Sequence, residues 1–263
     1  MRDILENAEG AEERGETGPG KANREYDKKQ FPKRFYKTVS VKEQEEGGFA
    51  LLLDEKPLQS PGKNRLLAPT LNSAELLAEE WRKIETEINP MSMPMTRLAN
   101  TAIDGVSQET QAVMEDITRY ASSDLLLYRA DTPEGLIENQ MKHWDPLLDW
   151  AAEAFDAQFE TGTGIIHVPQ SKDTLTKFGM RLQRFQSAYA LTCIHTLTSL
   201  SGSAIIALAL AEQHIDAETG WKAAHVDEDW NISLWGEDFE AAERRRLRWL
   251  DFEAANRLLV AVH

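Results

Sequence analysis

The chain has 263 residues, enough to bury one large core or two modest ones. With 44 acidic against 29 basic residues its formal net charge is −15, which argues against nucleic acid as a partner, because phosphate binding needs basic surface. The one cysteine, Cys193, excludes an intramolecular disulfide and a cysteine-rich zinc site.

Residues 1–30 mix acids and bases without an apolar run. They resemble neither a signal peptide nor an arginine-rich transit peptide and are expected to form a disordered, solvated tail. Residues 34–43 (RFYKTVSVKE) alternate in the period-2 pattern of a half-buried strand. After the turn Glu45-Glu46-Gly47-Gly48, residues 49–54 (FALLLD) predict a second strand and Glu55-Lys56-Pro57 another turn. A tight turn at Pro61-Gly62-Lys63-Asn64 precedes Leu66, Leu67 and Ala68, giving a small antiparallel meander.

The pattern then becomes helical. Asn72 or Ser73 is placed to cap a helix carrying Leu76, Leu77, Glu80, Trp81 and Ile84, with Asn89-Pro90 ending it. A second amphipathic run follows Pro94, and a third spans residues 107–127. Asp145-Pro146 reads as a helix start, with Asp145 as cap and Pro146 at the first helical position. Residues 185–211 hold no Asp, Glu, Lys or Arg, a length that could span a bilayer. Ser201-Gly202-Ser203 interrupts them like a break with a fresh cap, so two buried helices are expected. The fold class is α+β: after the tail at 1–30, a small N-terminal antiparallel β-rich domain with one or two helices (31–115), then a larger all-α domain (116–263).

Little of this sequence is arranged for catalysis. Cys193 and His195 stand two apart on an expected helix, roughly 200° around it, and cannot face each other. His143 and Asp145 share that spacing. Pro61-Gly62-Lys63 lacks the spacing and the following Ser or Thr of a phosphate loop, and Gly162-Thr163-Gly164 is a turn signal. No cofactor or metal site is expected. The window 227–243 is the more informative feature: Asp227, Glu228, Asp229, Glu237, Asp238, Glu240 and Glu243 with Trp230 and Trp235 among them and no basic residue. It reads either as a solvated helical face or as an acidic, aromatic patch for a protein partner. The following Arg244, Arg245, Arg246 and Arg248 are placed to pair with some of these acids.

Several stretches occur together and in order: RFYKTVSV (34–41), LLLDEKPLQSPGKNRLLAPT (51–70), AEEW (78–81), INPMSMPMTRLANTAID (88–104), DLLLYRA (124–130), QMKHWDPLLDWA (140–151), SGSAIIALAL (201–210) and HVDEDWNISLWGED (225–238). In these the chain resembles the F1-ATPase assembly chaperone family acting on the ATP synthase alpha subunit. The resemblance covers residues 31–245 and implies a non-catalytic, nucleotide-independent chaperone. Such a protein binds the unassembled alpha subunit, prevents its aggregation and is released when beta joins. It also implies a monomer without cofactor or stable membrane insertion. Eukaryotic relatives are mitochondrial; without a recognisable transit peptide, this chain is expected to be a bacterial, cytoplasmic member. Carried over by position, Glu237 is expected to bind the partner, together with Asp227, Asp229, Trp230, Trp235 and Asp238 of the same acidic window; Trp81 matches the family's tryptophan, either as a functional residue or as a core anchor of the helix after the β region. Arg97, Asp104, Asp124, Arg129 and Asp145 are expected to pair charges or cap helices within the fold. The rival reading is a small-molecule enzyme of hydrolase type with a pocket at the domain junction, for which no convergent set of acid, base and nucleophile is visible.

Overall fold

A computed structural model describes residues 31–164 and 166–263; the tail expected at 1–30 lies outside them. Strand β2 (Phe49–Leu53) is the centre of a four-stranded antiparallel sheet. It pairs with β1 (Val39–Glu43) in the register Val39↔Leu53 to Glu43↔Phe49, with β3 (Lys56–Pro57) and with β4 (Leu67–Ala68). Ala50, Leu51, Leu52 and Leu53 are all buried, as a strand covered on both faces requires.

Two boundaries in the sheet region differ from the sequence reading, each for a visible reason. Residues 34–38 do not join the ladder, because they bond elsewhere: the Arg34 guanidinium donates to the Ile84 carbonyl and its backbone N–H to Thr86. The expected turn at Glu55-Lys56-Pro57 instead begins one residue earlier. Asp54 and Glu55 take φ of 47° and 68°, the two positive values of a tight hairpin turn, which leaves Lys56 and Pro57 paired as a strand. The Asp54 carboxylate then accepts the Lys37 and Thr38 backbone N–H groups at 2.9 and 2.8 Å.

Helix α1 (Leu71–Lys83) is capped by Thr70, two residues ahead of Asn72 and three ahead of Ser73, the expected caps, and Ser73 closes a capping box. It stops at Lys83 rather than Asn89, since the chain beyond bonds back to residues 32–34. Helix α2 (Pro94–Asp104) begins with proline, and its free N–H groups at Met95 and Thr96 donate to the Glu80 carboxylate of α1, both at 2.8 Å. The run expected over 107–127 is a shorter helix, α3 (Thr110–Ala121), flanked by 3-10 turns at Val106–Gln108 and Leu125–Leu127. A two-stranded parallel pair, β5 (Tyr128–Arg129) and β6 (Gly162–Thr163), brackets α4 (Glu134–Phe155).

Helix α4 corrects the expected helix start at Asp145. It runs unbroken through Pro146 for 22 residues. Proline removes one hydrogen bond, the one to the carbonyl of Lys142, and both Pro146 and Lys142 lie on the exposed face of the helix. Asp145 is bound instead to Arg129 at 2.7 Å.

The centre of the molecule is the pair α6 (Ala188–Ser201) and α7 (Ala204–Ala211), preceded by α5 (Lys172–Leu182). Gly202 takes φ +72°, a left-handed conformation that stops α6, and Ser203 caps α7 through the Ile206 N–H. All eight residues of α7 are buried, so the uncharged stretch is protein core. No helix among the described residues is long and apolar enough to cross a membrane. Then come α8 (Ala217–Ala224), α9 (Val226–Trp235) and α10 (Phe239–Ala261). The C-terminal part of α10 returns across α6 and α2 to α1, where the Thr70 hydroxyl donates to the Ala261 carbonyl. One contiguous apolar core includes Tyr36 and Leu51 near one end of the chain and Leu258 and Leu259 at the other.

Candidate protein-binding surface

Helices α9 and α10 are joined by Gly236, whose φ of +83° lets the chain reverse while its N–H still closes α9 onto Ile232. Asp238 caps α10 through the Ala241 N–H at 2.9 Å. From Phe239 to Arg248 the residues of α10 are exposed or half-buried, and its buried residues begin only at Phe252. The two helices therefore enclose a crook of about 430 Å³ whose lining includes Ile232, Trp235, Glu237, Ala242 and Arg245.

The six residues expected to bind a partner all lie on this hairpin, but in different states. Asp227 accepts a hydrogen bond from the Gln140 side chain of α4 at 2.7 Å. Asp229 is held by Arg245, itself mostly buried, which fastens α9 to α10. Trp230 is half-buried against α4 at Gly135, where an added Cβ would meet the ring at 2.7 Å. Asp238 is occupied as a cap. Trp235 is 85 % exposed, and Glu237 makes no ion pair or side-chain hydrogen bond among the described residues. Trp81 is apart from them all: it is buried with its carbonyl accepting from the Tyr36 hydroxyl at 2.6 Å, and the two rings lie 5.7 Å apart.

Phe239, at 83 % exposure, is not singled out by the sequence; it lies in the same turn between α9 and α10 as Trp235 and half-exposed Leu234. Leu247 and Leu250 continue the exposed apolar surface along α10. The signal for this was present: positions 239, 247 and 250 fall within about 80° of one another on a helix. It is hidden because the core residues Phe252, Ala255, Leu258 and Leu259 supply the more obvious stripe of the same helix.

The residues suspected of chemistry are placed structurally. Cys193 is fully buried, and burial pushes its thiol far above the usual range. His195 meets Asp116 of α3 at 2.9 Å instead. Burial pushes the His143 imidazole below its usual range. Arg97 pairs with Asp251 of α10. Burial raises the Asp104 carboxyl, but bonds from Ser60, Asn64 and the Gly62 N–H outweigh it and hold it below its usual range. No group of three or more His, Cys, Asp or Glu able to hold a metal occurs among the described residues.

A family model described as ATP12 chaperone protein matches residues 33–152. The crystal structure of a candidate chaperone from Agrobacterium tumefaciens is 46% identical with a TM-score of 0.87, covering 100% of this chain and 97% of that one. Atp12 from Paracoccus denitrificans is 38% identical with a TM-score of 0.82, over 88% of this chain and 98% of that one. A single-substitution variant of that protein gives the same figures.

Proposed function

Because this chain belongs to the ATP12 chaperone family, we propose that it binds the unassembled alpha subunit of the F1 part of ATP synthase, shields it from aggregation and leaves when beta arrives. On this reading it is a non-enzymatic, monomeric protein of the bacterial cytoplasm that works without cofactor. An orphan subunit exposes the apolar face its neighbour would cover, and such faces drive aggregation.

The observation that carries the reading is the hairpin turn of α9 and α10, where Trp235 and Phe239 stand in solvent beside Glu237. Burying a large apolar side chain contributes about 1.5–3 kcal/mol, and aromatic residues are favoured as the few contacts that dominate an interface. The acids divide the work: Asp227, Asp229 and Asp238 hold the hairpin in shape, while Glu237 is left to meet a basic side chain of the client.

Light scattering of purified alpha subunit, with and without this protein, is the test. The wild type is expected to suppress aggregation, and Trp235→Ser with Phe239→Ser to weaken binding by tenfold or more, corresponding to about 1.4 kcal/mol. Glu237→Lys is expected to weaken it further. Scattering unchanged by the wild-type protein would sink the chaperone reading; equal suppression by the hairpin variants would sink only the placement of the surface.

A further inference from the structure

A second hollow, of about 740 Å³, lies between α4 and the parallel pair β5 and β6. Its apolar floor includes Met141, half-exposed, with Leu148 and Phe159. Its charged groups are Arg129, Asp131, Asp145 and Asp149, one cation against three anions, for a net −2. Arg129 is not available to a ligand: its side chain is 14% exposed, bound to Asp145 at 2.7 Å and packed over the Trp144 ring at 5.2 Å. Asp131 and Asp149 are exposed and make no ion pair among the described residues.

Resting on the reading above, we infer that this hollow is a second docking site for the client, taking a segment that carries a lysine or arginine beside an aliphatic side chain. Charge complementarity selects that occupant. An anionic group would meet two uncompensated carboxylates, whereas a lysine or arginine lays its aliphatic stem on Met141, Leu148 and Phe159 and brings its charged head to Asp131 and Asp149. An exposed ion pair by itself contributes little, so the apolar floor supplies the hold and the carboxylates supply orientation and encounter rate.

Gln140 connects the hollow to the hairpin. It is 2% exposed, its side-chain oxygen accepts the Ala130 N–H of the hollow's rim at 2.8 Å, and its amide donates to Asp227 of α9. The two surfaces thus have a fixed relation, and one client chain engaging both gains from the second contact being intramolecular.

The experiment measures association and dissociation of purified alpha subunit on immobilised full-length protein, across a salt series. Asp131→Asn with Asp149→Asn is expected to slow association by about tenfold at low salt and to flatten its salt dependence. Met141→Lys, at an exposed position, is expected to weaken binding by lodging a cation of the chain's own in the hollow. Circular dichroism matching the wild type establishes that the variants are folded. If the wild type and Trp235→Ser behave as proposed while both hollow variants bind like wild type, the second site is overturned and the chaperone reading stands. If the wild type fails to bind the alpha subunit, both fall together.

Discussion

Asp124 shows how far a single residue's role extends beyond its neighbours in sequence. It is fully buried and accepts the Leu126 N–H at 3.1 Å and the Ile205 N–H at 3.0 Å, so one carboxyl closes a 3-10 turn and the start of α7. Burial pushes its pKa from 3.8 to about 6 despite those bonds. With the folded value above the unfolded one, its contribution is fully present below about pH 4 and is lost as pH rises through about 6. The loss is on the order of 1–3 kcal/mol. Denaturant titrations at several pH values should show this slope in the wild type and its absence in Asp124→Asn; identical pH profiles would contradict the assignment. Trp81→Ala should cost about 3–5 kcal/mol, read as a lower denaturant midpoint, because it removes a buried ring packed on Tyr36. The burial of Trp81 and Cys193 was legible in the sequence, since each sits in an apolar pattern. Phe239 was not, because whether an apolar residue on a long helix meets core or solvent depends on where the rest of the chain packs.

Among elements, boundaries depended on tertiary bonds that no local pattern contains. The Gly202 break was readable from Ser201-Gly202-Ser203, whereas the end of α1 at Lys83 was set by Arg34, some fifty residues away. Pro146 was misread as a helix start because its ring fits a first turn as well as it fits an exposed helix interior. Two glycines test the element packing. Gly202→Ala should destabilise by about 1 kcal/mol through its positive φ alone, since the nearest atom to a new Cβ, on Leu125, is at an ordinary 3.8 Å. Gly135→Ala should act differently, by pushing the rigid Trp230 ring off α4. The expected result is faster amide exchange confined to α9, with global stability little changed; exchange spread through the core would refute it.

For the molecule as a whole, the change from sheet to helices at about residue 70 was plain in the sequence, while the route of α10 back to the first helix was not. Division of the chain near residue 115 into two domains remains a proposal that thermal unfolding tests. The contiguous core and the Thr70–Ala261 and Arg97–Asp251 ties favour a single cooperative transition, whereas two transitions would separate the parts. The exposed Trp235 and Phe239 have a last consequence, for the protein among copies of itself. A surface sticky enough to hold an aggregating client is also sticky towards its own duplicate, and a stock of chaperone could be consumed by pairing. Here every copy carries 15 uncompensated negative charges, and mutual repulsion keeps the waiting molecules apart at low ionic strength. Salt removes that protection. Sedimentation in rising salt should reveal self-association of the wild type that Trp235→Ser with Phe239→Ser does not share, so that the acidity of the chain serves to keep its hydrophobic turn vacant until a client arrives.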